Sequence, residues 1–113
     1  MPLTTGPIEN TGNLPANATS VRVIILNLTG GLLTGAVRVF KLNGTRKLLS
    51  TTSFSVDANA STSVTPSVGN ATQFEVEIVP NQTGGLYSVY GRTASGVLIT
   101  AQRFLHSELT EIF

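Results

Sequence analysis

The chain has no cysteine, no tryptophan and a single histidine, and charged residues take only 12% of its 113 positions. Without cysteine, neither a disulfide nor a thiolate metal site can form. His106 would have to serve a zinc site or a catalytic triad with carboxylates alone, so no metal and no cofactor is expected. Aromatics are scarce at 6%, with Tyr87 and Tyr90 the two tyrosines. That scarcity argues against a glycosidase cleft around the carboxylate pair Glu75 and Glu77, which reads instead as a solvated strand face. The glycine pairs Gly30-Gly31 and Gly84-Gly85 lack the lysine and the strand-to-helix setting of a phosphate loop, so they read as turns. The longest uninterrupted apolar stretch, Val23 to Leu26, falls far short of the ~20 residues of a membrane helix. The segment PLTTGPIENTG after Met1 has neither a charged n-region nor an apolar h-region, so no secretory signal is expected. No catalytic motif is visible, and an enzyme is not expected.

What the chain has in quantity is serine, threonine and asparagine, 34 residues together, which implies a surface that is polar but largely uncharged. Such a texture suits β-proteins that pack against their own copies or sit outside cells, and mean hydropathy is too high for disorder. Net charge is +1 but uneven: residues 1 to 56 hold Arg22, Arg38, Lys41, Arg46 and Lys47 against Glu9. From 57 onward Asp57, Glu75, Glu77, Glu108 and Glu111 outnumber Arg92 and Arg103. This is either scatter in a small sample or a device that helps copies associate head to tail. A nucleic-acid partner is not expected, since no aromatics interleave with the basic residues.

Residues 1 to 19 contain Pro2, Pro7 and Pro15 with Leu3, Ile8 and Leu14 as anchors, and read as an extended connector arm ahead of a body spanning 20 to 113. Something must hold such an arm, and a neighbouring subunit is one candidate. The body opens with SVRVIILNLT at 20 to 29, apolar at both parities. Successive strand side chains point to opposite faces, so both of its faces need cover. Further strands are expected at 36–42, 47–56, 61–65, 72–79, 86–92 and 97–105, with an Asn43-Gly44 hairpin and an edge strand stopped by Pro66. In the segment at 72–79, Phe74, Val76 and Ile78 alternate with Gln73, Glu75 and Glu77, so its core face is readable. The tail HSELTEIF fits either a helix or a strand. Turn signals at about ten-residue spacing make the fold all-β, an antiparallel sandwich or jelly roll of seven to eight strands.

The pattern N-x-T-G-G-L occurs at 27–32 and again at 81–86, through turn chemistry or through an internal repeat. A structural repeat would align Ile24 with Ile78 and place Val21, Val23 and Ile25 outward as a subunit interface with Leu3, Ile8 and Leu14. The charge of Arg22 instead places Ile24, Leu26 and Leu28 outward. Asparagines fall in N-x-S/T sequons at Asn17, Asn27, Asn43, Asn59, Asn70 and Asn81, more often than chance gives, marking glycosylation or simply the turns of the fold.

A polar arm before an all-β body, a low-charge surface, and the segments TGPIENTG (5–12) and FLHSELTEI (104–112) together resemble the endospore appendage subunits of spore-forming bacilli. The resemblance implies a jelly-roll subunit of an extracellular filament at a cell or spore surface, its partners being copies of itself, with sheets stacked side to side and the arm as connector. Those subunits cross-link through arm cysteines, so coupling here would be non-covalent. The alternative is a carbohydrate-binding or virion-decorating sandwich, which would expose Tyr87 or Tyr90.

Overall fold

A computed structural model describes residues 2–10, 17–42, 44–69 and 71–112. Strands β1 (Leu3–Thr4), β2 (Ile8–Glu9), β3 (Ser20–Asn27), β4 (Leu33–Leu42) and β5 (Arg46–Val56) fill the first half. They are followed by β6 (Ser61–Val64), β7 (Gln73–Pro80), β8 (Gly85–Arg92), β9 (Leu98–Phe104) and β10 (Thr110–Glu111). Sheet A runs β10-β1-β7-β4-β5, with β2 also on β7, and sheet B runs β6-β3-β8-β9. Every strand pair is antiparallel, and the two sheets pack as a sandwich. The expected all-β sandwich is therefore the fold. The ambiguous tail is neither a full helix nor a full strand: a 3-10 turn at His106–Glu108 leads into β10.

Strand positions follow the alternation of apolar and polar residues. In β7, Phe74, Val76 and Ile78 are fully buried between the sheets, as its period of two requires. In β3 the buried set is Val21, Val23 and Ile25, each at 0% exposure, sharing one core with Val37 and Val39 of the opposite sheet and with Val89 of the neighbouring β8. Burying each such side chain is worth about 1.5–3 kcal/mol. This corrects their assignment to a subunit interface: the outward row is Ile24, Leu26 and Leu28. The cause is Asn27, whose amide turns inward to donate to the carbonyls of Gly31, Val56 and Asp57, locking the odd residues of β3 inside.

The N-x-T-G-G-L echo has a geometric meaning that is not a repeat. β3 passes into β4 from sheet B to sheet A, β7 passes into β8 in the reverse direction, and the two crossings lie side by side. The Leu28 amide donates to the Gly84 carbonyl and the Asn81 amide to the Thr34 carbonyl, stitching them together. Asn27 points inward and Asn81 outward, so the same turn chemistry is entered with opposite parity.

The arm, too, is placed differently from expectation. Leu3 and Thr4 pair with Ile78 and Glu77 on one side and with Glu111 and Thr110 on the other, and Ile8 and Glu9 pair with Phe74 and Gln73, making the arm part of its own sheet A. Ile8 is buried in the core and Leu3 packs against it, so these two anchors are spent within the chain and not on a neighbour. Without them the edge of β7 would carry unpaired peptide groups. Leu14 lies outside the described residues.

Candidate functional site

The sandwich has two outer faces, and the chain treats them in opposite ways. On sheet A, Glu75 and Glu77 point away from the core, as their parity demands, yet both are buried. They are not the solvated pair that alternation alone implies. Arg46, from the start of β5, folds back over the sheet, with Nε donating to Glu75 Oε1 at 2.6 Å and a terminal nitrogen 3.3 Å from Glu77 Oε2. Its guanidinium lies 3.6 Å from the centroid of the Phe40 ring, a cation–π contact. Arg38 approaches Glu77 at 3.5 Å, and the Thr4 hydroxyl of the arm donates to Glu75. Burial pushes the Glu75 carboxyl up, but the hydrogen bonds from Arg46 and Thr4 and the charge of Arg46 outweigh it and hold it below its ordinary value.

The outer face of sheet B has no such cover. Ile24 and Leu26 of β3, Leu28 beyond it, Leu86 of β8 and Leu105 after β9 are between 37% and 56% exposed. Leu26 and Leu86 are direct cross-strand partners. Ile24, Leu26, Leu86 and Leu105 line one shallow groove of about 240 Å³. Beside it a second groove of about 370 Å³ is lined by Arg22, Arg92 and Arg103 with Tyr90 and Leu98, and no carboxylate lines it. Arg22, Tyr90 and Arg103 stand in one lateral row across β3, β8 and β9. Among the described residues, ion pairs form only between Arg38 or Arg46 and Glu75 or Glu77.

Each end of the sandwich is closed by a buried asparagine. Asn27 closes one end, and its Oδ1 also accepts from the Thr29 amide and hydroxyl. Its sequon is thus turn chemistry, and the buried side chain cannot carry a glycan, which corrects its assignment as a glycosylation site. Asn59 supplies a positive φ of 56° in the β5–β6 turn, and Asn81 accepts from the Thr34 amide; both are exposed. Asn17 is half-buried, and Asn43 and Asn70 lie outside the described residues. At the other end Asn10 donates to the carbonyls of Ala18 and Ala71 and accepts from the Ala18 amide. Gln102 donates to Asn10 Oδ1 and to the Glu9 carbonyl, tying the arm to sheet B. Gln102 reaches inward because β9 slips register past Gly91, where a Cβ would meet its Oε1 at 2.0 Å. Glycine inside a strand is the sequence signal for such a bulge.

His106 is a structural acceptor: its Nδ1 takes the Tyr87 amide at 3.3 Å, and its ring lies 5.7 Å from that of Tyr87. No group of three metal-capable side chains occurs among the described residues. A small cavity of about 130 Å³ lies between Tyr87, His106, Glu111 and the β7–β8 turn, and burial pushes the Tyr87 phenol above its ordinary value.

Fold and surface together define an antiparallel β-sandwich in which the carboxylates of sheet A are covered by the chain's own side chains, while sheet B leaves a contiguous apolar row bare; on sheet A exposed leucines are confined to Leu48 and Leu49 of β5 among the described residues. No protein-family model, curated protein or solved structure matches the chain.

Proposed function

We propose that the chain is a structural protein, a self-assembling subunit of an extracellular filament at a cell or spore surface. The observation that carries this is the row Ile24, Leu26, Leu86 and Leu105, exposed side by side on sheet B. Contiguous apolar patches on a soluble chain mark interaction surfaces, and a sheet face with paired neighbours offers a flat, rigid one. Sparse charge elsewhere lets copies approach closely without desolvating many ions. The coupling is non-covalent and runs through this face, since the arm is already engaged by its own β7. The carbohydrate-binding or virion-decorating alternative gains less, because Tyr87 is buried and Tyr90 sits between two arginines.

The test is light scattering and negative-stain microscopy of the wild type beside Leu26→Gln/Leu86→Gln. Wild type is expected to associate with rising concentration while the variant stays folded and monomeric. A wild type that remains monomeric at high concentration overturns the proposal.

A further inference from the structure

The folded chain sorts its free charges by end. At the end closed by Asn10 lie Arg22, Lys41, Lys47, Arg92 and Arg103 against Glu9 alone, as the strand registers place them. At the end closed by Asn27 lie Glu108 and Glu111 on the β9–β10 side and Asp57 at the opposite edge, all exposed, with no Lys or Arg there among the described residues. The remaining charges, Arg38, Arg46, Glu75 and Glu77, neutralise one another on sheet A. The sequence asymmetry is thus a polarity of the molecule.

Of the five end cations, Arg22, Arg92 and Arg103 share one groove, and they are fixed there by the sheet. A terminal nitrogen of Arg22 donates to the Ser63 hydroxyl at 3.2 Å, while its Nε is buried with no acceptor. Tyr90 stands between Arg22 and Arg103. Three guanidinium groups without a carboxylate among them suit carboxylate ligands, which arginine grips in bidentate fashion.

The geometry points to the acidic end of a second copy as the occupant: Glu108 and Glu111, on the β9–β10 side of that end, enter the Arg22–Arg92–Arg103 groove of the next subunit. This inference rests on the self-assembly proposed above and adds its polarity. Two copies meeting groove to groove would juxtapose six arginines, so the symmetric contact is disfavoured. Groove against acidic end is a heterologous contact, and such contacts repeat into an open array unless a ring closes. The groove adjoins the bare apolar row, both being lined by Ile24, Ser88 and Leu105, so docked acidic residues would bring the neighbour over that row.

The test is a charge swap. Arg22→Glu/Arg103→Glu and Glu108→Lys/Glu111→Lys are each expected to associate about a hundredfold more weakly than wild type by sedimentation velocity. An equimolar mixture of the two should recover association, because each then meets an opposite charge. Wild-type association should also weaken at about 1 M salt, where screening shortens to about 3 Å. Circular dichroism melts establish that both variants are folded. If wild type associates and the swapped variants do so equally well, or if their mixture fails to recover, the groove assignment is overturned while self-assembly stands. If wild type itself never associates, self-assembly falls first.

Discussion

The outer faces of sheets A and B are built from the same chain with the same antiparallel pairing, yet they reach solvent in different states. Sheet A presents carboxylates and covers them with Arg46, Arg38 and Thr4, with the Phe40 ring under the Arg46 guanidinium, and leaves only Leu48 and Leu49 at its β5 edge exposed among its described large apolar side chains. Sheet B presents leucine and isoleucine and covers them with nothing of its own. The difference is that the charges of one surface are satisfied within the chain, while the apolar row of the other is not covered by it. A paired charge network needs no neighbour, whereas an apolar row gains free energy only when something excludes water from it.

The contrast can be broken from the arm side with the largest effect. Asn10→Ala removes the amide that holds Ala18, Ala71 and Gln102, leaving buried backbone groups unpaired. It is expected to cost about 3 kcal/mol in urea denaturation and to loosen the arm that brings Thr4 to Glu75. Unchanged stability would show that the arm is not needed to seal sheet A.

Next in size is Arg46→Met, which leaves Glu75 and Glu77 adjacent and buried with Arg38 alone to offset them. Because Arg46 is itself nearly half exposed, solvent screening keeps the expected loss to about 2 kcal/mol.

The same pair sharpens the comparison through pH. The Glu75 carboxyl is held below its ordinary value of 4.5, so its contribution is present above that pH and is lost as pH falls through the lower folded value. Stability of the wild type should therefore decline on the acid side, and the gap to Arg46→Met should close there. A gap that stays constant into acid would mean that the carboxylate is not the partner that matters.

The smallest expected effect on folding comes from sheet B. Leu26→Gln/Leu86→Gln should leave the unfolding free energy within about 0.5 kcal/mol of wild type, since these side chains are exposed in the single chain. The contrast with Arg46→Met is the point: the sheet A substitution is expected to act on folding, and the sheet B pair only on the association proposed above.

Strand positions and the inward face of β7 were legible in the sequence, because Phe74, Val76 and Ile78 alternate cleanly with polar residues. The orientation of β3 was not, because SVRVIILNLT is apolar at both parities and period-two reasoning then has nothing to weigh. Arg22 was the one correct indicator, being a charge that must lie outside with Ile24 and Leu26. The seat of the arm was equally hidden, since Leu3 and Ile8 pair with residues some 65 to 75 positions away.

By itself, then, the chain determined local matters: where strands run, where Asn and Gly turn them, and that apolar side chains outnumber the places in one core. These follow from nearest-neighbour sterics and alternation, which act over a few residues. Only the tertiary structure decided which row went inside, that Glu75 and Glu77 would be buried under arginine, and that free charges of opposite sign would gather at opposite ends. Those outcomes depend on pairings between distant strands, and the amide of Asn27, bonded to Val56 and Asp57 some thirty residues away, tips β3 one way and not the other.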